Sequence, residues 1–258
     1  MKVFRTTKGF VIYNEGNYYL SRHSDWDIFI NRENLFFELQ REIQKLEPDY
    51  DYKDYTTQHI LPPIKSQEVW GIIKNSPENS VDCRPNLFFK STGQRVVGTN
   101  QSIKIRRDAK QHLPEPNLTL FINSNKQISG YTIGNDISST DLLESNPLYL
   151  SQAKIYDKSM ALGACIWVLG EPLSDTINIG ISIKRSESTV FSKTMVIENN
   201  FLNHKKLVNF LYKETSFAHG CFLMTGNCVL FPPNFGLCTG DEIKISIEGI
   251  GTLVNIVE

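Results

Sequence analysis

The chain has 258 residues, 40% of them apolar, with 27 basic against 28 acidic side chains and a formal net charge of −1. That is long enough for one large or two unequal domains around a continuous core. It lacks the basic excess that a general grip on nucleic acid needs, and the densest basic stretch, Lys104-Ile105-Arg106-Arg107, reads as the solvated end of a strand. The longest nearly apolar run, Met160 to Gly170, is about half of the ~20 residues that a membrane span requires. No apolar leader follows Met1. Five cysteines, at 83, 165, 221, 228 and 238, lack the C-x-x-C spacing of a metal site. A reduced, cytoplasmic chain with neither nucleic acid nor membrane as partner is expected.

The first sixty-odd residues are aromatic, rich in charge and poor in glycine. Val11 to Leu20 alternates around the turn-like Asn14-Glu15-Gly16-Asn17, which predicts a short hairpin. Asn31 is placed to cap a helix with Glu33 in its first turn, and Leu35, Leu39, Ile43 and Leu46 then recur at helical spacing over about four turns. Tyr50-Asp51-Tyr52-Lys53-Asp54-Tyr55 reads as a polar aromatic connector, and Pro62-Pro63 closes the segment. The predicted division is a small α+β domain over 1–64 and a larger domain over 65–258.

Beyond Pro63 the pattern is of short strands. Ile103/Ile105, Leu118/Leu120/Ile122, Ile177/Ile179/Ile181/Ile183 and Ile243/Ile245/Ile247 alternate with polar neighbours, the period of half-buried strands. One further helix is predicted from Lys205 to Lys213, capped by Asn203 and burying Leu207, Phe210 and Leu211. A regular β/α alternation is missing, which argues against a parallel-sheet enzyme. The fold class is therefore α+β, predominantly β.

Six segments carry more. Leu87-Phe88-Phe89-Lys90-Ser91-Thr92-Gly93-Gln94-Arg95-Val96-Val97-Gly98 is followed by Pro114-Glu115-Pro116-Asn117-Leu118 and then by Gly130-Tyr131-Thr132-Ile133-Gly134-Asn135-Asp136-Ile137-Ser138-Ser139. Asn146-Pro147-Leu148-Tyr149-Leu150-Ser151-Gln152-Ala153-Lys154 comes next, and Leu223-Met224-Thr225-Gly226 and Gly249-Ile250-Gly251-Thr252-Leu253 complete the order. This pattern, over roughly two-thirds of the chain, resembles the fumarylacetoacetate hydrolase family. The Asn-Pro-Leu-Tyr-Leu and Gln-Ala-Lys block is most similar to the branch that dehydrates or cleaves 2-keto-3-deoxy sugar acids.

The resemblance implies a long mixed β-sheet rolled on itself, usually in a homodimer, with Mg²⁺, Mn²⁺ or Ca²⁺ gripping the oxygens of a 2-oxo acid. It assigns Glu115 and Asp136 as metal ligands, Asn117 at the second position of a Glu-x-Glu pair, Lys154 as the active-site lysine, and Thr225 to the loop that touches the substrate carboxylate. Lys90, Thr92 and Gly93 are implied near substrate rather than metal. The chemistry accounts for these residue types. Positions i and i+2 of a strand face one way, so both donors aim at one point, and hard oxygens suit a hard cation.

Departures from the family pattern matter as much. Asn117 brings an oxygen without a charge, and at an effective dielectric of about 20 each missing charge weakens a divalent ion's binding by several kcal/mol before desolvation. Thr140 stands where the family often has an arginine clamp. The segment between Gly71 and Pro85 is short for a lid that often carries a catalytic His or Glu, and the C-terminal loop reads Thr225-Gly226-Asn227-Cys228. Leu223 to Pro233, with Phe231, is expected to line the same cleft. His219 in a turn reads as structural, as do Cys221 and Cys228 as small buried groups; His59, His112 and His204 have no sequence partner. Two function classes follow: a metal-dependent hydrolase or lyase (dehydratase) of a 2-oxo acid, or a non-catalytic family member serving in binding or assembly.

Overall fold

The computed structural model describes residues 1–73, 84–198, 201–226 and 229–258. In chain order the strands are β1 (Lys2–Thr6), β2 (Gly9–Asn14), β3 (Asn17–Leu20), β4 (Glu68–Ile73), β5 (Asn86–Thr92), β6 (Val96–Val97), β7 (Gln101–Ile103) and β8 (His112–Ile122). They continue as β9 (Ile128–Ser139), β10 (Met160–Leu162), β11 (Cys165–Trp167), β12 (Thr176–Arg185), β13 (Ser188–Glu198), β14 (Cys221–Met224), β15 (Glu242–Ile247) and β16 (Gly251–Val257). The helices are α1 (Trp26–Ile30), α2 (Leu35–Ile43), α3 (Tyr52–Gln58), α4 (Thr140–Ser145), α5 (Leu150–Lys154) and α6 (Phe201–Leu211).

Among the described residues an 11-stranded mixed sheet runs β3-β2-β1-β11-β9-β8-β14-β4-β5, with β10 beside β9 and β6 beside β10. A 5-stranded sheet runs β13-β12-β15-β16-β7. The predominantly β reading holds, and the long antiparallel β8–β9 hairpin is the centre of the larger sheet. One face of that hairpin carries Leu118, Leu120, Ile122, Tyr131 and Ile133 into a core shared with the second sheet and α6. The other face carries Phe121, with Phe222 and Met224 of β14, against Trp26, Phe29, Leu35 and Leu39 of the N-terminal helices. Both faces are covered, which is why β8 and β9 read as runs of buried residues rather than as strict alternation.

Residues 1–64 join the sheet directly. β1 pairs antiparallel with β11, with Lys2 opposite Trp167 and Phe4 opposite Cys165. The predicted hairpin is present, Val11 facing Leu20 and Asn14 facing Asn17.

The helices differ from expectation. Asn31 ends α1, a helix not expected, instead of starting one; α1 is capped by Asp25, whose Oδ1 accepts the amides of Asp27 at 2.9 Å and Ile28 at 3.4 Å. Asn34 precedes α2 at φ 50°, a left-handed conformation that Asn tolerates, so the expected helix starts later, at Leu35, and ends at Ile43, shorter than the four turns expected. The Tyr50–Tyr55 connector contains the start of α3. Asn203 lies inside α6, which stops before Lys213. The strand expected to reach Ile105 ends at Ile103. Two short helices, α4 and α5, were not predicted; α5 places Lys154, which a strand reading would have left in solvent. Among the described residues no helix is long and apolar enough to cross a membrane.

Candidate active site

Glu115 and Asn117 sit two residues apart on β8, and Asp136 on β9 is the direct cross-strand partner of Glu115. An antiparallel register puts directly opposed side chains on one face, so the three converge, with Ser138 next along β9. Two lysines reach the same point from outside the hairpin. Lys154 is the last residue of α5, and its Nζ lies 2.8 Å from Glu115 Oε1 and 2.9 Å from Asp136 Oδ2. It also donates to Ser138 Oγ, and Ser138 Oγ donates to Glu115 Oε1 at 2.5 Å. Lys90, wholly buried on β5, holds Asp136 Oδ1 at 2.5 Å.

Lys90 does a second job. Its Nζ donates to the carbonyl of Lys154 and, at 3.2 Å, to that of Ile137. The carbonyl of Lys154 is one of those that a helix leaves unpaired at its C-terminus, and it also accepts Ser159 Oγ at 2.9 Å. One buried ammonium thus closes α5 and fixes where Lys154 points. Phe88 lies under Lys154, with Nζ 5.4 Å from the ring centre.

The charges balance, two carboxylates against two ammonium groups. Burial pushes the Asp136 carboxyl up, but Lys154 and Lys90 outweigh that and hold it below its ordinary value. Burial likewise opposes charge on Lys154, and the Asp136 and Glu115 carboxylates more than compensate, so it stays cationic beyond the usual lysine range. Lys90 is brought down to about 8 by burial, with Asp136 opposing. Glu115 is the open side of the cluster, its side chain 24% exposed against 2% for Asp136.

Below the charged cluster the same sheet face continues as a polar strip. Thr119 stands opposite Thr132, and Asn117 opposite Gly134. A Cβ on Gly134 would come 2.4 Å from Thr119 Oγ1, so only glycine lets the two strands keep this packing. Asn117 Nδ2 donates to the carbonyl of Glu115 at 2.9 Å, while its Oδ1 is buried with no hydrogen-bond partner. A buried amide oxygen without a donor carries an energetic cost that a ligand can relieve. With the carboxylates of Glu115 and Asp136, that oxygen forms a hard-donor set on one strand face. The set fits a hard divalent cation, with less charge than three carboxylates would bring. Among the described residues no group of three or more His, Cys, Asp or Glu side chains forms a metal cluster.

The remaining sequence candidates fall around this centre. Thr225 follows β14 directly, and both its amide and its Oγ1 donate to the carbonyl of Leu118 at 3.0 Å. Thr92 is exposed at the end of β5, opposite Glu68. Gly93 is pressed on the linker, where a Cβ would stand 2.2 Å from the carbonyl oxygen of Lys65. Thr140 begins α4, its amide on the Gln111 carbonyl at 3.0 Å. Phe231 packs on Phe191 and Phe235, with ring centres 4.5 and 5.1 Å away, a hydrophobic cluster at edge strand β13. Most of the short 71–85 segment, and Asn227 and Cys228, lie outside the described residues. His219 is exposed; His112 is buried and accepts the Arg106 amide at 3.1 Å. Burial pushes the Cys221 thiol up to about 12, which makes it inert. Sequence reasoning missed Ser138. Its signal was its place two residues beyond Asp136, the spacing of one strand face.

A mixed sheet that sets acidic side chains on a central hairpin, met by lysines from a strand and a helix outside it, accords with the expected fumarylacetoacetate hydrolase architecture. The family described as "Fumarylacetoacetate (FAA) hydrolase C-terminal" matches residues 64–258, and the chain belongs to it. Among relatives, the probable 2-keto-3-deoxyxylonate dehydratase of Haloferax volcanii is 30% identical over 234 residues, 83% of this chain and 80% of that one. The 2-dehydro-3-deoxy-D-arabinonate dehydratase of Saccharolobus solfataricus is 36% identical over 222 residues, 77% and 74% of the two chains. A solved structure of 2-keto-3-deoxy-D-arabinonate dehydratase in complex with magnesium and 2,5-dioxopentanoate superposes with a TM-score of 0.80 at 26% identity, covering 100% of this chain and 99% of that one.

Proposed function

We propose that this protein is a dehydratase of a 2-oxo acid of the 2-keto-3-deoxy sugar acid type, with Glu115, Asn117 and Asp136 as oxygen ligands of Mg²⁺. The observation that carries the reading is the buried, unpartnered Asn117 Oδ1 on the strand face it shares with Glu115 and Asp136. The dehydratase relatives support the reaction class. A bound divalent ion, with Mn²⁺ and Ca²⁺ as alternatives of the same hard-oxygen preference, would stabilise negative charge on the substrate's keto oxygen.

The chain's own residues supply the rest. Loss of water takes a proton from the carbon beside the keto group, which the partly exposed Glu115 carboxylate is placed to accept, and a hydroxyl from the next carbon, the hydroxyl leaving as water with a proton from Lys154. Transfer from Glu115 back to Lys154, 2.8 Å away, resets both groups. Lys154, kept cationic by its two carboxylates and oriented by Ser138, is the group to hand a proton to that hydroxyl. Lys90 positions Lys154 through its carbonyl and keeps Asp136 ionised. Thr225, bonded to the strand that carries Asn117, is proposed to contact the substrate carboxylate, with Thr92 and Gly93 on the approach. A homodimer is part of the same proposal.

A second reading has its own support. Lys154 bridges Glu115 and Asp136, so the cluster is charge-balanced before any metal arrives, which suits a family member that binds a 2-oxo acid without turning it over. Calorimetric titration of the metal-free protein with Mg²⁺ in the presence of oxalate, paired with a turnover assay on 2-keto-3-deoxyarabinonate and 2-keto-3-deoxyxylonate, separates them. Saturable Mg²⁺ binding that Glu115→Ala weakens, together with turnover, is expected. Oxalate binding without Mg²⁺ dependence and without turnover would overturn the enzyme reading in favour of the second.

A further inference from the structure

Away from the sheet, and outside the residues matched by the family, the N-terminal region carries a cavity of about 440 Å³ between the loop after β3 and the outer face of α2. Its walls hold four permanent cations, Arg22, Arg32, Arg41 and Lys45, against two carboxylates, Glu38 and Glu42, in a chain whose overall charge is −1. The carboxylates are already spent. Glu42 takes Arg32 Nη1 at 2.8 Å and the hydroxyl of Ser21, and Glu38 takes Arg41 Nη1 at 3.0 Å. Arg22 and Lys45 make no ion pair among the described residues, and both are exposed. Two positive charges are left over, with His23 beside them, its Nε2 3.4 Å from Arg32 Nη1.

Arg32 is the built part of this site. Its Nε donates to the Phe29 carbonyl at 2.8 Å and its guanidinium stacks over the Phe29 ring at 4.6 Å, so the planar fork is fixed in place. Its Nη2 is buried and has no hydrogen-bond partner. A rigid guanidinium short of one acceptor, flanked by two uncommitted cations, matches a doubly charged oxyanion, since arginine binds phosphate through paired N–H groups and lysine adds a point charge. The volume exceeds what an inorganic ion fills and falls in the range of small-molecule pockets, about 300–1,000 Å³. We propose that this cavity binds a small phosphorylated metabolite, with Arg32 gripping the phosphate and Arg22 and Lys45 closing over its charge.

The test uses the full-length protein and inorganic pyrophosphate as probe, in calorimetry at low ionic strength. One saturable site per chain is expected, with orthophosphate binding more weakly. Arg22→Gln/Lys45→Gln, two exposed changes that leave the core alone, should weaken pyrophosphate by at least about tenfold, the loss of one good charged contact. Arg32→Lys, which keeps the charge and removes the fork, should do likewise, with circular dichroism confirming the fold. Lys2→Gln/Lys8→Gln, an equal charge change elsewhere, should leave binding as it was. No saturable binding, or an equal loss in the Lys2/Lys8 variant, would overturn the proposal.

Discussion

Asp136 and Asp241, two of the buried, ion-paired aspartates among the described residues, are held in opposite ways. Asp241, before β15, accepts Arg185 Nε at 2.7 Å and Nη2 at 2.8 Å, and the Cys238 amide at 2.9 Å. The same guanidinium reaches the Gly236 carbonyl at 2.8 Å, so a planar fork and a backbone donor lock the 236–241 turn onto the end of β12. Asp136 is held by two ammonium groups, each shared with another acceptor. An ammonium is a point charge with rotatable donors, and its contacts can be exchanged for others at small geometric cost. The fork fixes a loop, whereas the lysine cluster leaves a site whose partners can change when a ligand arrives.

The comparison can be broken by substitution. Asp136→Asn leaves the buried Lys90 with no carboxylate and Lys154 with Glu115 alone, and should cost about 3–5 kcal/mol of stability, the usual penalty for halving a buried ion pair. Asp241→Asn should cost less, about 1–3 kcal/mol, because Arg185 is 38% exposed and water takes over part of the charge. Chemical denaturation of both variants decides; equal losses would remove the distinction drawn between the two sites.

On activity, Lys154→Met is expected to lower turnover by at least about 100-fold, the lower end of what a positioned acid contributes. Asn117→Glu restores a charged ligand and should tighten Mg²⁺ by at least about tenfold in calorimetry, since the Coulomb gain is several kcal/mol before desolvation. An unchanged affinity would mean that these oxygens do not share a cation. The pH dependence sharpens the same contrast. The folded-state pKa of Asp136 lies below the ordinary 3.8, so its contribution is complete above that pH and is lost as the pH falls through the depressed value. The stability gap between wild type and Asp136→Asn should therefore hold down to about pH 4 and close only in stronger acid. Gly134→Ala is expected to cost about 1–3 kcal/mol, the range of Asp241→Asn, from the clash with Thr119 Oγ1 and with the charged cluster intact.

Much of the site was legible because its strands carry it. Glu115 and Asn117 at i, i+2, and Asp136 and Ser138 at i, i+2, share faces by the pleat alone, and alternation located β8, β12 and β15. The helices were less so. Trp26-Asp27-Ile28-Phe29-Ile30 has too few turns to display a period, and Asn34, by a left-handed φ that sequence does not announce, puts the start of α2 beyond the expected Asn31 cap.

The sequence by itself determined a β-rich chain and the identity of the groups that meet, because strand alternation and motif spacing are local properties. What it could not contain is the partnership between distant groups. The Lys90 ammonium capping the Lys154 carbonyl, 64 residues away, exists only because the folded sheet brings the Lys90 side chain from β5 and the end of α5 to the same point on the hairpin. The burial that makes Asp136 depend on two lysines is likewise a property of the closed sheet. Tertiary structure decided the electrostatics, because the energy of a charge depends on what excludes water from it.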